Sequence, residues 1–179
     1  MLKRKIGRLG QFVGITMLSL TLAALSSQIV EGRNRTVSLE ETQCVGSGPG
    51  RWRADSIDVA IGRAVHKSVM NLSPSNGSAT VTCRIRSENS EPRFQTLQLE
   101  FGMEDRDTAS PPNIVNIYLD GQQVATRRIG PSQAASFLFN VSNISNVSIE
   151  TTCASKLDYC SRVYFYKASL ERIPDRPRR

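Results

Sequence analysis

The sequence holds one histidine, one tryptophan and few aromatic residues of any kind, 6% of the chain. A single His66 excludes a metal site built on two histidines and leaves any nucleophile–histidine–acid arrangement resting on one position. We read it as structural. There is no Cys-x-x-Cys and no His/Cys cluster, so the spacing of a structural zinc site is missing. Gly46-Ser47-Gly48-Pro49-Gly50 lacks both the Gly-Lys-Ser/Thr ending of a phosphate loop and a following helix, and reads as a flexible linker. No stretch of the body repeats apolar residues at helical spacing, and there is no internal repeat.

A basic body is also lacking. The chain carries a net charge of +7 over 179 residues. Lys3, Arg4, Lys5 and Arg8 supply part of it at one end, and Arg172, Arg176, Arg178 and Arg179 part at the other. Residues 38–170 hold 13 basic and 13 acidic groups, so the body is neutral. A nucleic-acid domain needs its positive charge where the fold can meet phosphates, so nucleic acid is not an expected partner.

What is present at the N-terminus is an address. A basic segment is followed by an uncharged, largely apolar run from Phe12 to Leu25 and then by Ser26 and Ser27. That order is the order of a secretory signal peptide, here residues 1–26 with Ala24 and Ser26 before the cut. Spanning a bilayer takes about 20 predominantly apolar residues, and this run is shorter. Stable membrane insertion is therefore not expected unless the segment stays uncleaved. The protein is expected to be secreted or periplasmic. Four cysteines in an exported chain favour disulfides. Three pairings are possible. Cys153 and Cys160 close a short loop between two strand-like runs, which favours a local bridge and leaves Cys44 to join Cys83.

The body alternates with period two. Ile57, Val59 and Ile61 share a face, as do Val81, Cys83 and Ile85, then Leu97, Leu99 and Phe101, then Val115, Ile117 and Leu119. Phe137, Phe139 and Val141 follow, then Val147, Ile149 and Thr151. The last run, residues 162–170, is apolar on both faces, with Val163 and Phe165 on one and Tyr164, Tyr166, Ala168 and Leu170 on the other. Asp120-Gly121 joins two runs as a tight hairpin. Such strands predict an all-β fold, an antiparallel β-sandwich of jelly-roll type. Residues 27–54 read as a flexible lead, residues 55–171 as the sandwich, and residues 172–179 as a disordered basic tail.

Chemistry-bearing groups are sparse. Glu104, Asp105 and Asp107 could offer oxygen ligands to calcium, but lack the spacing of a calcium loop and read as an acidic turn, so no cofactor is expected beyond that option. Nothing selects a carboxylate pair involving Glu150 for glycoside hydrolysis, and an enzyme is not expected. Aromatic rings can stack on the apolar face of a sugar. Tyr118 lies on the outward face of its strand, Tyr159 sits inside the expected disulfide loop, and Trp52 stands between Arg51 and Arg53. These three are the candidate carbohydrate-binding residues. Asn34, Asn71, Asn76, Asn140, Asn143 and Asn146 open Asn-x-Ser/Thr sequons and read as polar turns.

Residues 55–171 contain Gly62-Arg-Ala-Val65-His66-Lys67-Ser68, a Thr80-Val-Thr-Cys83-Arg-Ile85 strand, and Phe101-Gly102-Met-Glu-Asp105. Val115-Asn-Ile-Tyr-Leu-Asp120-Gly121 follows. Together these resemble the NPCBM family of carbohydrate-binding modules, whose motifs run Gly-x-Gly-x-His, Gly-x-x-Asp and Asp-Gly. Ala64 replaces the second glycine, and Lys67-Ser68 the usual Pro-Ser. The resemblance implies a galactose-binding-like β-sandwich acting as a secreted non-catalytic carbohydrate-binding module, with a glycan or cell-surface polysaccharide as partner. The alternative is a secreted structural or protein-interaction sandwich without sugar binding, its partner another protein.

Overall fold

The computed structural model describes residues 36–75, 77–87, 90, 93–156 and 159–173. The expected signal peptide, residues 1–26, lies outside them, as do residues 174–179 of the expected basic tail, whose first residue, Arg172, instead ends the last strand. The described residues form thirteen strands and one short 3₁₀ turn, Leu39–Glu41. In chain order the strands are β1 (Thr36–Ser38), β2 (Gln43–Ser47), β3 (Arg51–Arg53), β4 (Asp58–Ile61), β5 (Ala64–Lys67), β6 (Met70–Ser73) and β7 (Ser78–Arg84). Then follow β8 (Phe94–Gly102), β9 (Asn113–Leu119), β10 (Gln122–Ile129), β11 (Ala134–Asn140), β12 (Asn146–Cys153) and β13 (Val163–Arg172). No helix among the described residues is long and apolar enough to cross a membrane.

The long strands alternate because one face of each must be buried and the other meets water. Along β12 the pattern is strict: Val147, Ile149, Thr151 and Cys153 are buried and the residues between them half-buried. Two antiparallel sheets result. The first runs β11-β8-β13-β6-β3, with β1 also paired to β13; the second runs β10-β9-β12-β7-β2. Leu97, Leu99 and Phe101 of β8 and Phe165 of β13 share one buried cluster with Val81 of β7, Ile117 of β9 and Ile149 of β12. The expected antiparallel β-sandwich is the fold observed.

Asp120 and Gly121 adopt φ of 46° and 81°, as the hairpin between β9 and β10 requires. Both disulfides form as expected, Cys44–Cys83 and Cys153–Cys160. Cys44 and Cys83 are register partners, so that bridge lies across β2 and β7.

Three expectations change. Residues 27–54 were expected as a flexible lead, but β1, β2 and β3 fall inside that span and pair with β13, β7 and β6. The glycines that suggested flexibility serve close approach instead: a Cβ on Gly46 would run into the Trp52 ring. The faces of β13 also differ. A register shift between Phe165 and Lys167 adds one residue there, so Ala168 and Leu170 turn inward with Phe165 rather than sharing the face of Tyr164. Finally, Asn71 is not in a turn. It lies in β6, 2% exposed, and donates its amide to Asp55 Oδ1 at 2.6 Å.

The hairpin β4–β5 forms its own two-stranded sheet. Val59 and Ile61 pack on Tyr164 in a second small buried cluster that also takes Tyr166. Close seating depends on Gly102, where a Cβ would lie 2.6 Å from Ile61 Cγ2 and 2.7 Å from the Gln133 carbonyl oxygen. Asp105 then fastens the turn: its carboxylate accepts the Gly62 amide at 2.7 Å and the Arg63 amide at 2.9 Å. The Arg63 amide contributes most to holding the Asp105 pKa below its ordinary value, against an opposing desolvation effect. A lowered carboxylate pKa gives stability that is complete above the unfolded-state value, about 3.9, and is lost as pH falls through the folded value. The protection of the Gly62 and Arg63 amides, taken relative to the intrinsic exchange rate at each pH, is therefore expected to be constant near neutrality and to fall in acid. Asp105→Asn should lower that protection at neutral pH, with the difference shrinking in acid, and equal protection in the two proteins at pH 7 would contradict the clamp.

Candidate functional site

The outward face of the second sheet carries an ordered polar array. β9 presents Asn116 and Tyr118 and β12 presents Ser148 and Glu150, in the register Ser148–Tyr118 and Glu150–Asn116. Glu150 Oε2 accepts the Tyr118 hydroxyl at 3.0 Å and the Asn116 amide at 3.1 Å. Asn116 Oδ1 in turn accepts the Thr126 hydroxyl at 2.7 Å and the Gln123 amide at 3.4 Å. One strand over, the hydroxyls of Thr82 and Ser148 lie 2.8 Å apart. All of these groups reach water in some degree, since none is classed with the buried core.

Chemically the array is a fixed ring among fixed acceptors and donors. Two hydrogen bonds to Glu150 Oε2 hold the carboxylate, and Oε1 accepts none among the described residues, so a sugar hydroxyl can donate to it. Desolvation raises the Tyr118 pKa first, and the hydrogen bond and negative charge of Glu150 raise it further. The phenol therefore keeps its proton, and its donated bond, throughout the neutral range and up past the usual tyrosine value near 10.

The other expected residues sit elsewhere. Trp52 is half-buried on β3, against Gly46 of β2 and the edge of the core. Tyr159 is 71% exposed beside Cys160. Trp52, Tyr118 and Tyr159 thus occupy an edge strand, a sheet face and a disulfide loop. Glu104 is mostly buried and pairs with Arg106 at 3.0 Å, while Asp105 is engaged by the hairpin. Among the described residues no three of His, Cys, Asp and Glu, Glu104, Asp105 and Asp107 included, come together in a group that could hold a metal ion. His66 stacks on Tyr166 with ring centroids 4.1 Å apart. Sequence reasoning singled out Tyr118 but missed that Asn116 and Glu150 belong with it. Outward polar residues were visible in both strands; the register that sets them side by side was not.

No protein-family model and no curated protein matches the chain. Solved structures do. A family 51 carbohydrate-binding module from Clostridium perfringens GH95, solved in complex with methyl-galactose, superposes at a TM-score of 0.59 with 11% identity. That match covers 75% of this chain and 99% of the module. The CBM51-2 and INT domains of Clostridium perfringens ZmpB give 0.60 and 13%, over 76% of this chain and 31% of theirs. The tandem CBM51 modules of the Streptococcus pneumoniae family 98 glycoside hydrolase give 0.58 and 12%, over 80% and 49%. The fold is that of carbohydrate-binding modules, as the NPCBM resemblance implied. At such identities the likeness is one of fold.

Proposed function

We propose that this protein is a non-catalytic carbohydrate-binding module acting outside the cytoplasm, and that the outward face around Tyr118 receives the sugar. The observation that carries the reading is the Tyr118–Asn116–Glu150 array, displayed on a fold shared over nearly the whole length of a solved carbohydrate-binding module. A sugar ring placed over Tyr118 would bury its apolar face and direct hydroxyls to the open Glu150 oxygen. Glu150 is fixed by two donors and faces no second carboxylate within the array, which suits binding rather than hydrolysis. Two disulfides fit an oxidising compartment, as does the signal peptide expected from residues 1–26.

Because the module of like fold was solved with methyl-galactose, galactosides are the first ligands to try, on a glycan array and then by calorimetry. Tyr118→Ala is expected to weaken binding about tenfold or more, the usual cost of removing a central aromatic contact. Glu150→Gln should weaken it less. Tyr159→Ala, run beside them, reports whether the disulfide loop adds a second ring. Silence across chemically diverse glycans would sink the reading and leave a sandwich that binds protein partners.

A further inference from the structure

At one end of the sandwich, two open clefts of about 540 and 440 Å³ share Arg84 and Arg86 as wall residues. The larger is closed by Asp120, Ser145 and Asn146; the other reaches Arg93 and Arg172 beside Phe94. Arg84 ends β7 in the second sheet, while Arg172 ends β13 and Arg93 precedes β8 in the first. Four arginines, drawn from both sheets, therefore line adjoining clefts at one end of the sandwich.

These charges have little to do for the fold. The ion pairs among the described residues, Arg106 with Glu104 and Lys167 with Glu100, include none of the four. Arg86 gives its Nε to the Ser90 carbonyl oxygen at 3.1 Å, and Arg172 lies 5.9 Å from the centre of the Phe94 ring. Two acids line the clefts, Asp120 and Glu41. Asp120 is already engaged, accepting the backbone amides of Ser145 at 3.1 Å and Asn146 at 2.8 Å. Glu88 and Glu91 follow in the sequence, outside the described residues.

The clefts are continuous with the face bearing Tyr118. Arg84 pairs with Asn146 in register, one pleat beyond the row that runs Thr82, Ser148, Tyr118. Two strand spacings and two residues put the backbones of Tyr118 and Arg84 roughly 12 Å apart. A short glycan seated on Tyr118 can thus extend over Arg84. Guanidinium groups bind carboxylate and sulfate through paired, charge-assisted hydrogen bonds.

We propose that this arginine-lined end binds the anionic groups of an acidic glycan, carboxylate or sulfate, while Tyr118 holds a neighbouring sugar. The proposal rests on the carbohydrate-binding reading and names its substrate class. A nucleic acid fits less well. Phe94, the one ring lining the clefts, is 6% exposed and already covered by Arg172, leaving no face for a base.

The test is affinity of the purified full chain for heparin, polygalacturonate, a neutral galactan and mixed-sequence single-stranded DNA. Two variants each remove two charges from the clefts, Arg84→Gln with Arg172→Gln, and Arg86→Gln with Arg93→Gln. Arg51→Gln with Arg53→Gln removes two from exposed positions on β3 as a control. Heparin or polygalacturonate is expected to bind about tenfold more tightly than galactan. Either cleft variant should abolish that advantage, and the control should leave it within about twofold. Which of the two polyanions shows the advantage tells sulfate from carboxylate. Equal losses in control and cleft variants would overturn the proposal in favour of diffuse electrostatics, and DNA binding as tight as the acidic glycans would overturn it in favour of a phosphate polyanion. Galactan binding that needs Tyr118 with no acidic advantage would overturn this inference while leaving the module reading intact. An arginine-dependent acidic advantage that survives Tyr118→Ala would uphold the anion site and overturn the Tyr118 seat. Binding to none of the probes would overturn both.

Discussion

Replacing Cys44 and Cys83 together by Ala is expected to lower the unfolding free energy by about 4 kcal/mol, against about 2.5 kcal/mol for Cys153 with Cys160. The difference follows from chain length. The first bridge joins residues 39 apart, the second residues 7 apart, and a longer closed loop removes more freedom from the unfolded chain. The folded side adds a local reason. Among the described residues β2 is an edge strand paired in the second sheet with β7 alone, and the bridge is its covalent tie there. Without it, the seat of Trp52 on Gly46 should loosen as well. Urea denaturation of both double variants checks the ranking, with amide exchange at Val45 reporting the edge. Equal losses from the two bridges would show that loop length does not govern their contribution.

The features that were legible in the sequence are those with local causes. Period-two burial placed Leu97, Leu99 and Phe101, and Val115, Ile117 and Leu119, on their inward faces. Asp120-Gly121 marked its own turn because few other residue pairs accept positive φ twice. The motifs that suggested a carbohydrate-binding fold have scaffold tasks in the structure. Gly62 makes a hairpin turn, Gly102 lets Ile61 approach, Asp105 clamps the turn, His66 stacks on Tyr166, and Asp120 ties its own turn to Ser145 and Asn146. They announce an architecture.

What was not legible depends on register and on pairing between distant segments. The extra residue in β13 moves Ala168 and Leu170 to the core, and alternation alone carries no sign of where such a shift falls. β1, β2 and β3 looked like a lead because each is short and Gly46, Gly48 and Gly50 suggested flexibility; their partners lie far along the chain. The candidate site is hidden in the same way. Tyr118 and Glu150 are 32 residues apart, and only the pairing of β9 with β12 makes them hydrogen-bond partners. The arginine-lined end, assembled from both sheets, is invisible to a residue count that balances to zero.

Phe101→Ala is expected to destabilise by about 3–5 kcal/mol, the cost of emptying a fully buried aromatic site. Phe101 is 0% exposed and its ring meets Phe165 at 5.1 Å and Phe137 at 5.6 Å, so one deletion removes the centre of three packed rings. Domains commonly hold about 5–15 kcal/mol in all, which makes this loss a large share. Binding should respond differently. Phe101 lies inside the sandwich on β8, whereas the Tyr118 array faces outward on β9, β10 and β12. Below its lowered melting temperature the Phe101→Ala protein should bind glycan nearly as tightly as the parent. Tyr118→Ala should do the reverse, losing affinity while its melting temperature falls little, because its ring is already in part exposed to water. Thermal denaturation and calorimetric affinity, measured on both variants at a temperature where both are folded, separate the two roles. If Tyr118→Ala unfolds as readily as Phe101→Ala, Tyr118 is a structural residue and the outward face is not the sugar site.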